Sequence, residues 1–437
     1  MESEKHKNYA LPIIVMIFLF GMISFVTNLA SPMGDILKYQ FQVPNWMGTL
    51  GVFANFIAYA IMGYPAGNML QKLGYKKTAL IAIAVGFVGV GIQTLSGTAQ
   101  SFGVYLLGAF IAGFSMCLLN TVVNPMLNKL GGGGNKGNQL IQAGGSFNSL
   151  CGTAVIILTG LLIPEGIKNA QISNVFPLMY AALAIFAFAF VVIALTKIPE
   201  NEPAPEKKIK ETSKYGPLSF RHFVLGSVAI FVYVGVEVGV PNILQKWLQN
   251  PDLNVLGDGV NVEAIAGSVA ATYWLLMLVG RLLGALVGSK VSARSMLTVV
   301  SSVGLLLTLT AMFIPEIPVN MPVFNGAEGF ALVSVPLNAA LLVLVGLCTS
   351  VMWGGIFNLA VEGLGKYTEK ASGIFMALVC GGGILPLLQN GIVDLAGGVG
   401  YLTSYWVIVV GAAYILFYAM VGSKNVNKDI QIGRAHV

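Results

Sequence analysis

Polarity along this chain switches between long apolar runs and short polar interruptions. A bilayer-spanning helix needs about 20 predominantly apolar residues. Twelve runs meet that length, at roughly 11–33, 47–70, 77–97, 103–128, 138–163, 174–196, 219–248, 262–289, 294–314, 334–361, 368–395 and 400–422. The ten-residue segments of alternating polarity that mark a membrane β-barrel are not seen. The pattern predicts an all-α polytopic membrane protein with twelve transmembrane helices.

The polar interruptions separate by charge. With the N-terminus inside, the outward connections carry only Lys38, Lys168 and Lys246. The inward side takes Lys5, Lys7, Lys72, Lys76, Lys77, Lys129, Lys136, Lys290, Arg294, Lys366, Lys370 and the basic stretch from Lys197 to Arg221. Basic residues concentrate on the cytoplasmic side of membrane proteins, so both termini are expected in the cytoplasm and the chain in the cell's cytoplasmic membrane. The longest polar stretch, "KIPENEPAPEKKIKETSKYGP", is rich in Pro, Lys and Glu and reads as a linker. The expected organisation is therefore a six-helix bundle at 1–196, a cytoplasmic linker at 197–218, a second six-helix bundle at 219–423 and a tail at 424–437. The halves echo each other: "GFSMCLLNTVVNPMLNKLG" and "GLCTSVMWGGIFNLAVEGLG" each end a long helix near an Asn and a Gly, and each precedes a Gly-rich helix. Six-helix half-repeats with a site between them near the midplane are a transporter architecture.

Composition agrees. Of 437 residues, 56% are hydrophobic and 10% charged, where a soluble protein carries about 25% charged; the mean hydropathy is +0.79. The net charge of +6 follows from the inward loops and is no nucleic-acid signal. Cys117, Cys151, Cys348 and Cys380 lie in apolar runs without metal-ligand spacing. "GGGG" at 131–134 is a loop, with no strand before it and no G-K-[ST] after it to make a phosphate cradle. No cofactor is expected, and no enzyme activity.

Several stretches resemble one family. "PAGNMLQKLGYKK" resembles the loop after the second helix of major facilitator transporters, with Gln71 where an acid is usual. "NTVVNPMLNKLG", "SFNSLCG", "YVGVEV", "YWLLMLVGRLLG", "IFNLAVEGLGKYTEKASG" and "GGGILPLL" together resemble the fucose:proton symporter family, whose relatives carry glucose, galactose and other hexoses. The resemblance runs from about residue 16 to 420. It implies the major facilitator fold, a small-molecule sugar substrate, H+ or Na+ as coupling ion, and a monomer in the bilayer. Two acids of the fucose pattern are replaced. Leu29 stands where an Asp follows the first-helix Asn, and Asn120 stands where a Glu is found on the fourth helix. The resemblance therefore implies sugar transport more directly than proton coupling, and uniport stays open beside symport. A non-transporting membrane sugar receptor is the reading from another class.

The intramembrane polar residues are the candidate chemistry. Glu237, in "FVYVGVEVGVPNIL", is the acid deep in the seventh run. An acid in that position is a functional hypothesis by default: it can exchange a proton, help hold Na+ or accept bonds from sugar hydroxyls, or it can be a structural acid paired across helices. Asp35, beyond Pro32 near the outer end of the first helix, is the weaker ion-coupling candidate. Arg281 either snorkels or holds the inner gate. Amides donate and accept, as sugar hydroxyls do, so Asn28, Asn120, Gln142, Asn148, Asn358 and Gln389 are candidate sugar contacts, with helix–helix glue the competing role. Gln142 and Asn148 resemble a Gln and an Asn of the family's fifth helix, although two extra residues separate them here. Trp274 and Trp353 are candidates to stack on a sugar ring. Trp46, Trp247 and Trp406, near span ends, fit an interfacial aromatic belt.

Overall fold

Without water to bond, a backbone in lipid must satisfy its own N–H and C=O groups, and a helix does so locally. The computed structural model describes residues 9–42, 50–163, 170–199, 215–250, 252–257, 262–324, 329–396 and 400–427, and the apolar runs among them are helical. The first half contains Ala10–Gln40 (α1), Leu50–Ala99 (α2), Phe102–Leu130 (α3), Gly134–Leu162 (α4) and Phe176–Leu195 (α5). The second contains Arg221–Gln249 (α6), Val262–Val287 (α7), Ala293–Phe313 (α8), Leu337–Thr349 (α9), Met352–Val361 (α10), Thr368–Ala377 (α11), Gly381–Ala396 (α12), Gly400–Ser404 (α13) and Trp406–Phe417 (α14).

Ten helical stretches among the described residues are long and apolar enough to span a bilayer. The 50-residue α2 carries two spans, broken at Gly74, whose φ of 79° suits glycine. The 29-residue α4 is the remaining one. Together these make the twelve spans that the polarity pattern predicts. The tenth span is α9 followed by α10, interrupted at Ser350 and Val351. The eleventh is α11 and α12, interrupted by a single 3₁₀ turn at Leu378–Cys380 immediately before Gly381. The "GGGG" loop is a turn, with Gly132, Gly133 and Gly134 all at positive φ.

Helices pack closely where glycine permits. Gly89 of α2 faces the backbone of Ala112 on α3, where a Cβ would lie 2.6 Å from the Ala112 nitrogen. Between the eighth-to-ninth helix pair and the tenth span the chain forms a hairpin not foreseen from sequence: Pro318–Phe324 (β1) pairs antiparallel with Phe330–Pro336 (β2). Val323 and Val335 bury its inner face, and the Phe324 N–H donates to Thr272 Oγ1 of α7 at 2.7 Å. Trp247 departs from the expected belt. It is 2% exposed and packed in the second half's core, because its position on α6 faces inward rather than to lipid. Trp406 does face out, edge-on to Phe313 with centroids 6.1 Å apart. Trp46 lies outside the described residues, as do residues 200–214 of the linker.

Candidate functional site

The two halves meet most intimately at the end of the bundle carrying Lys72–Lys77, Lys129, Lys136, Lys290 and Lys366, hereafter the basic end. There α2 and α11 touch backbone to backbone: a Cβ on Gly63 would lie 2.5 Å from the Ala377 nitrogen, and one on Gly67 2.9 Å from the Lys370 carbonyl oxygen. Tyr75 OH donates to Glu369 at 3.5 Å, and the Lys370 ammonium lies 5.6 Å from the Tyr64 ring centroid. Ser372 Oγ donates to the Thr121 carbonyl at 3.1 Å.

Amides add to the joining. Gln139 Nε2 donates to the Ala285 carbonyl at 3.0 Å, and Asn358 Nδ2 to the Gly134 carbonyl at 2.8 Å. Gln142 Nε2 donates at 2.9 Å to the carbonyl of Val351. That carbonyl also accepts the Gly355 N–H within the span at 3.2 Å, so Gln142 uses its second lone pair. Trp353 Nε1 donates at 3.0 Å to Asn124 Oδ1, and its ring stands edge-on to Tyr233 and Phe375. Asn124 in turn donates to the Asn120 carbonyl, and Asn120 Nδ2 donates to Tyr59 OH at 2.8 Å.

At mid-depth lies Arg281, nine residues before Lys290 and so about 13 Å of helix rise from it. Its NH2 is 3.1 Å from Glu237 Oε1, with the side chains 11% and 13% exposed respectively. Its Nε donates to the Ser350 carbonyl at 3.3 Å, on the second half. Its NH1 crosses to the first half, donating to Ser149 Oγ at 2.6 Å, the Gly145 carbonyl at 3.3 Å and Asn148 Oδ1 at 3.4 Å. Glu237 Oε1 also accepts from Tyr233 OH at 2.9 Å, and Tyr273 OH donates to the Glu237 carbonyl at 3.2 Å. Arg281 does not snorkel; it is a polar tie between the halves at mid-depth. A forked, planar guanidinium presents five donors in a fixed fan and so can serve acceptors on two bodies at once. Among the described residues, no side-chain hydrogen bond between the halves lies nearer the opposite end than this one.

The sequence candidates therefore fall into groups. Glu237 and Asn148 are joined through Arg281, and Asn148 Nδ2 also donates to the Phe20 carbonyl of α1 at 2.8 Å. Asn120, Gln142, Asn358 and Trp353 belong to the closure toward the basic end. Asn28 donates to Ser24 at 2.8 and 2.9 Å and packs against Gly152, one turn beyond Asn148. Trp274 stands edge-on to Tyr273, with centroids 5.4 Å apart. Gln389 is fully buried on α12 against Gly239 of α6, on the side of α6 away from Arg281. The side chain of Asp35 lies outside the described residues. Ser149, Tyr233 and the carbonyls of Ser350 and Val351 were not singled out from sequence. A serine, a tyrosine and a peptide oxygen carry no signal until a guanidinium or an amide is placed against them.

Comparison with known proteins agrees with this architecture. Residues 13–387 match the family model of the Major Facilitator Superfamily. The chain is 29% identical over 431 residues to a glucose/galactose transporter of Brucella abortus, covering 97% of each. It is 22% identical over 425 residues to the L-fucose-proton symporter of Escherichia coli, covering 91% of this chain and 90% of that protein. The solved structure of the transporter FucP in its outward conformation superposes with a TM-score of 0.76 at 21% identity, over 95% of this chain and 100% of that one.

Proposed function

The chain belongs to the Major Facilitator Superfamily, and we propose that within it this protein is a secondary active transporter that moves a hexose together with a cation. The carrying observation is the Arg281 tie, which binds an intramembrane acid on one half and four oxygens spread over both halves. Full-length similarity to proteins named for glucose and galactose and for L-fucose supports a monosaccharide.

The basic end is cytoplasmic by the excess of lysine there, with both termini inside and the chain in the cytoplasmic membrane. The arrangement described is then the outward-facing one, sealed toward the cytoplasm by α2 on α11 and by the amides of α4 on the broken tenth span. Alternating access requires that seal to open, so Arg281 must release Ser149, Gly145 and Asn148. Both side-chain bonds to Glu237 among the described residues fall on Oε1. A cation arriving at the carboxylate, a proton on Oε2 or Na+ beside it, weakens the hold on Arg281. Removing one partner of a buried pair costs about 3–5 kcal/mol through the charge left behind. Sugar hydroxyls reaching Arg281 and Asn148 can offset that cost. Cation and sugar then move only together, which is the logic of symport.

The test is uptake of labelled hexoses into proteoliposomes under an inward proton gradient, an inward sodium gradient, or neither. Accumulation under one gradient alone supports symport and names the ion. Equilibration without accumulation under every condition makes the protein a uniporter and Glu237–Arg281 a structural pair. Binding without any movement makes it a receptor.

A further inference from the structure

On the outer surface of the second half, α7 turns into α8 at the basic end and leaves a cavity of about 300 Å³. Leu283 and Val287 of α7, Val299 of α8 and Leu347 of α9 form its walls, and Ser350 and Val351 lie at its floor. Leu283, Val287 and Val299 are 50%, 43% and 61% exposed. In a spanning segment such exposure faces lipid, so the cavity opens to hydrocarbon and not to the axis between the halves. Its floor is the interruption of the tenth span, whose two carbonyls are held from the other side by Arg281 and Gln142. α7 leaves no bulk between cavity and gate. Gly280 and Gly284, flanking Arg281, pack directly on Ser350 and Val351, where a Cβ on Gly284 would come within 2.5 Å of the Val351 side chain.

Charge lies beside the cavity. Lys290, next in sequence to the lining residue Val291, is exposed in the turn joining α7 to α8, whereas Arg294, near the start of α8, is turned to Ser423. An occupant with an apolar tail and an anionic head, lying along the membrane with its head at the basic end, matches walls and charge together. We propose that this cavity binds one acyl chain of an anionic phospholipid, its phosphate held at Lys290, and that the bound chain braces Ser350–Val351 and so favours closure at the basic end.

The test uses the full-length protein purified in mild detergent with phosphatidylglycerol or phosphatidylcholine, read by native mass spectrometry. A second readout is the distance across the basic end, taken between spin labels in nanodiscs of either lipid. The wild type should retain one phosphatidylglycerol in preference to phosphatidylcholine, and phosphatidylglycerol nanodiscs should enrich the short-distance population. Lys290→Gln should cut the preference about fivefold, the worth of one lysine near an anionic surface. Val299→Trp and Val287→Trp, which fill the cavity from separate walls, should each lose retention of both lipids and the effect on distance, so one poorly folding variant does not decide the matter. Equal retention by wild type and both filled variants overturns the site. Equal preference in Lys290→Gln and wild type overturns the head-group assignment. Retention with no change in distance overturns the link to the gate.

Discussion

The carboxylate of Glu237 and the guanidinium of Arg281 stand 3.1 Å apart on different helices, yet the same guanidinium donates to Ser149 Oγ on the opposite half at 2.6 Å. The acid, the arginine and the seal between halves are thus one bonded unit. A substitution at Glu237 should be felt in coupling before it is felt in binding. Glu237→Gln keeps the shape but no longer changes charge, so gradient-driven accumulation should vanish while exchange of labelled for unlabelled sugar persists. Normal accumulation in proteoliposomes containing this variant would remove Glu237 from the coupling step.

The same pair predicts non-additive stability. Arg281→Gln alone leaves a buried carboxylate without its counter-charge, and should lower stability by about 3–5 kcal/mol. Adding Glu237→Gln removes the orphaned charge and should recover much of that loss. Thermal unfolding of the two single variants and the double variant in detergent measures the coupling; simple addition of the two losses would contradict a direct ion pair.

Asn148 holds two roles in one amide, donating to the Phe20 carbonyl and accepting from Arg281. Asn148→Ala should weaken sugar binding by about 1–3 kcal/mol, the cost of leaving polar groups unmet. Calorimetric titration with the transported sugar checks this. Unchanged affinity with a lowered melting temperature would make the residue a joint between α1 and α4 only.

Closure at the basic end depends on glycine at the α2–α11 crossing. A Cβ on Gly373 would strike the backbone of Gly63 and Gly67, atoms that cannot turn aside as a side chain can. Gly373→Ala should therefore act as a wedge that opens the basic end and depletes the state described. Gln142→Leu should shift the same equilibrium more mildly, about fivefold for a net hydrogen bond of about 1 kcal/mol. Spin-label distances across the basic end report both. Distances matching the wild type in Gly373→Ala would mean that the contact is slack.

Packing inside the second half has its own close approach. Gly381, which starts α12 after the 3₁₀ turn, lies so near the Phe231 carbonyl of α6 that a methyl group would overlap it. Gly381→Ala should cost about 1–3 kcal/mol from overpacking, seen as a lower melting temperature. An unaltered melting temperature would show that the eleventh span bends freely enough to absorb the methyl group.

Local properties of the chain were legible. Each apolar run is its own evidence for a span, because lipid leaves a backbone only internal partners; the charge pattern and the paired half-repeats likewise need no neighbour to be seen. The glycines at 131–134 announced a turn by their own conformational freedom. The hairpin at 318–336 was hidden because prolines at 318 and 322 argue against a strand. They are tolerated here since β1 has a single partner and an unpaired edge.

What the sequence by itself determined was the number of spans, their division into two halves and which residues within them are polar enough to need a partner. Which partner each one found was decided by tertiary structure alone. Arg281 and Glu237 are 44 residues apart, and Gln142 is 209 from Val351. No spacing rule links residues on separate helices, whose relative depth and rotation follow from the packing of every helix between them. The Ser350 carbonyl lies at the break in the tenth span and is bonded by Arg281, and a break acquires a chemical use only when another helix brings a donor to it.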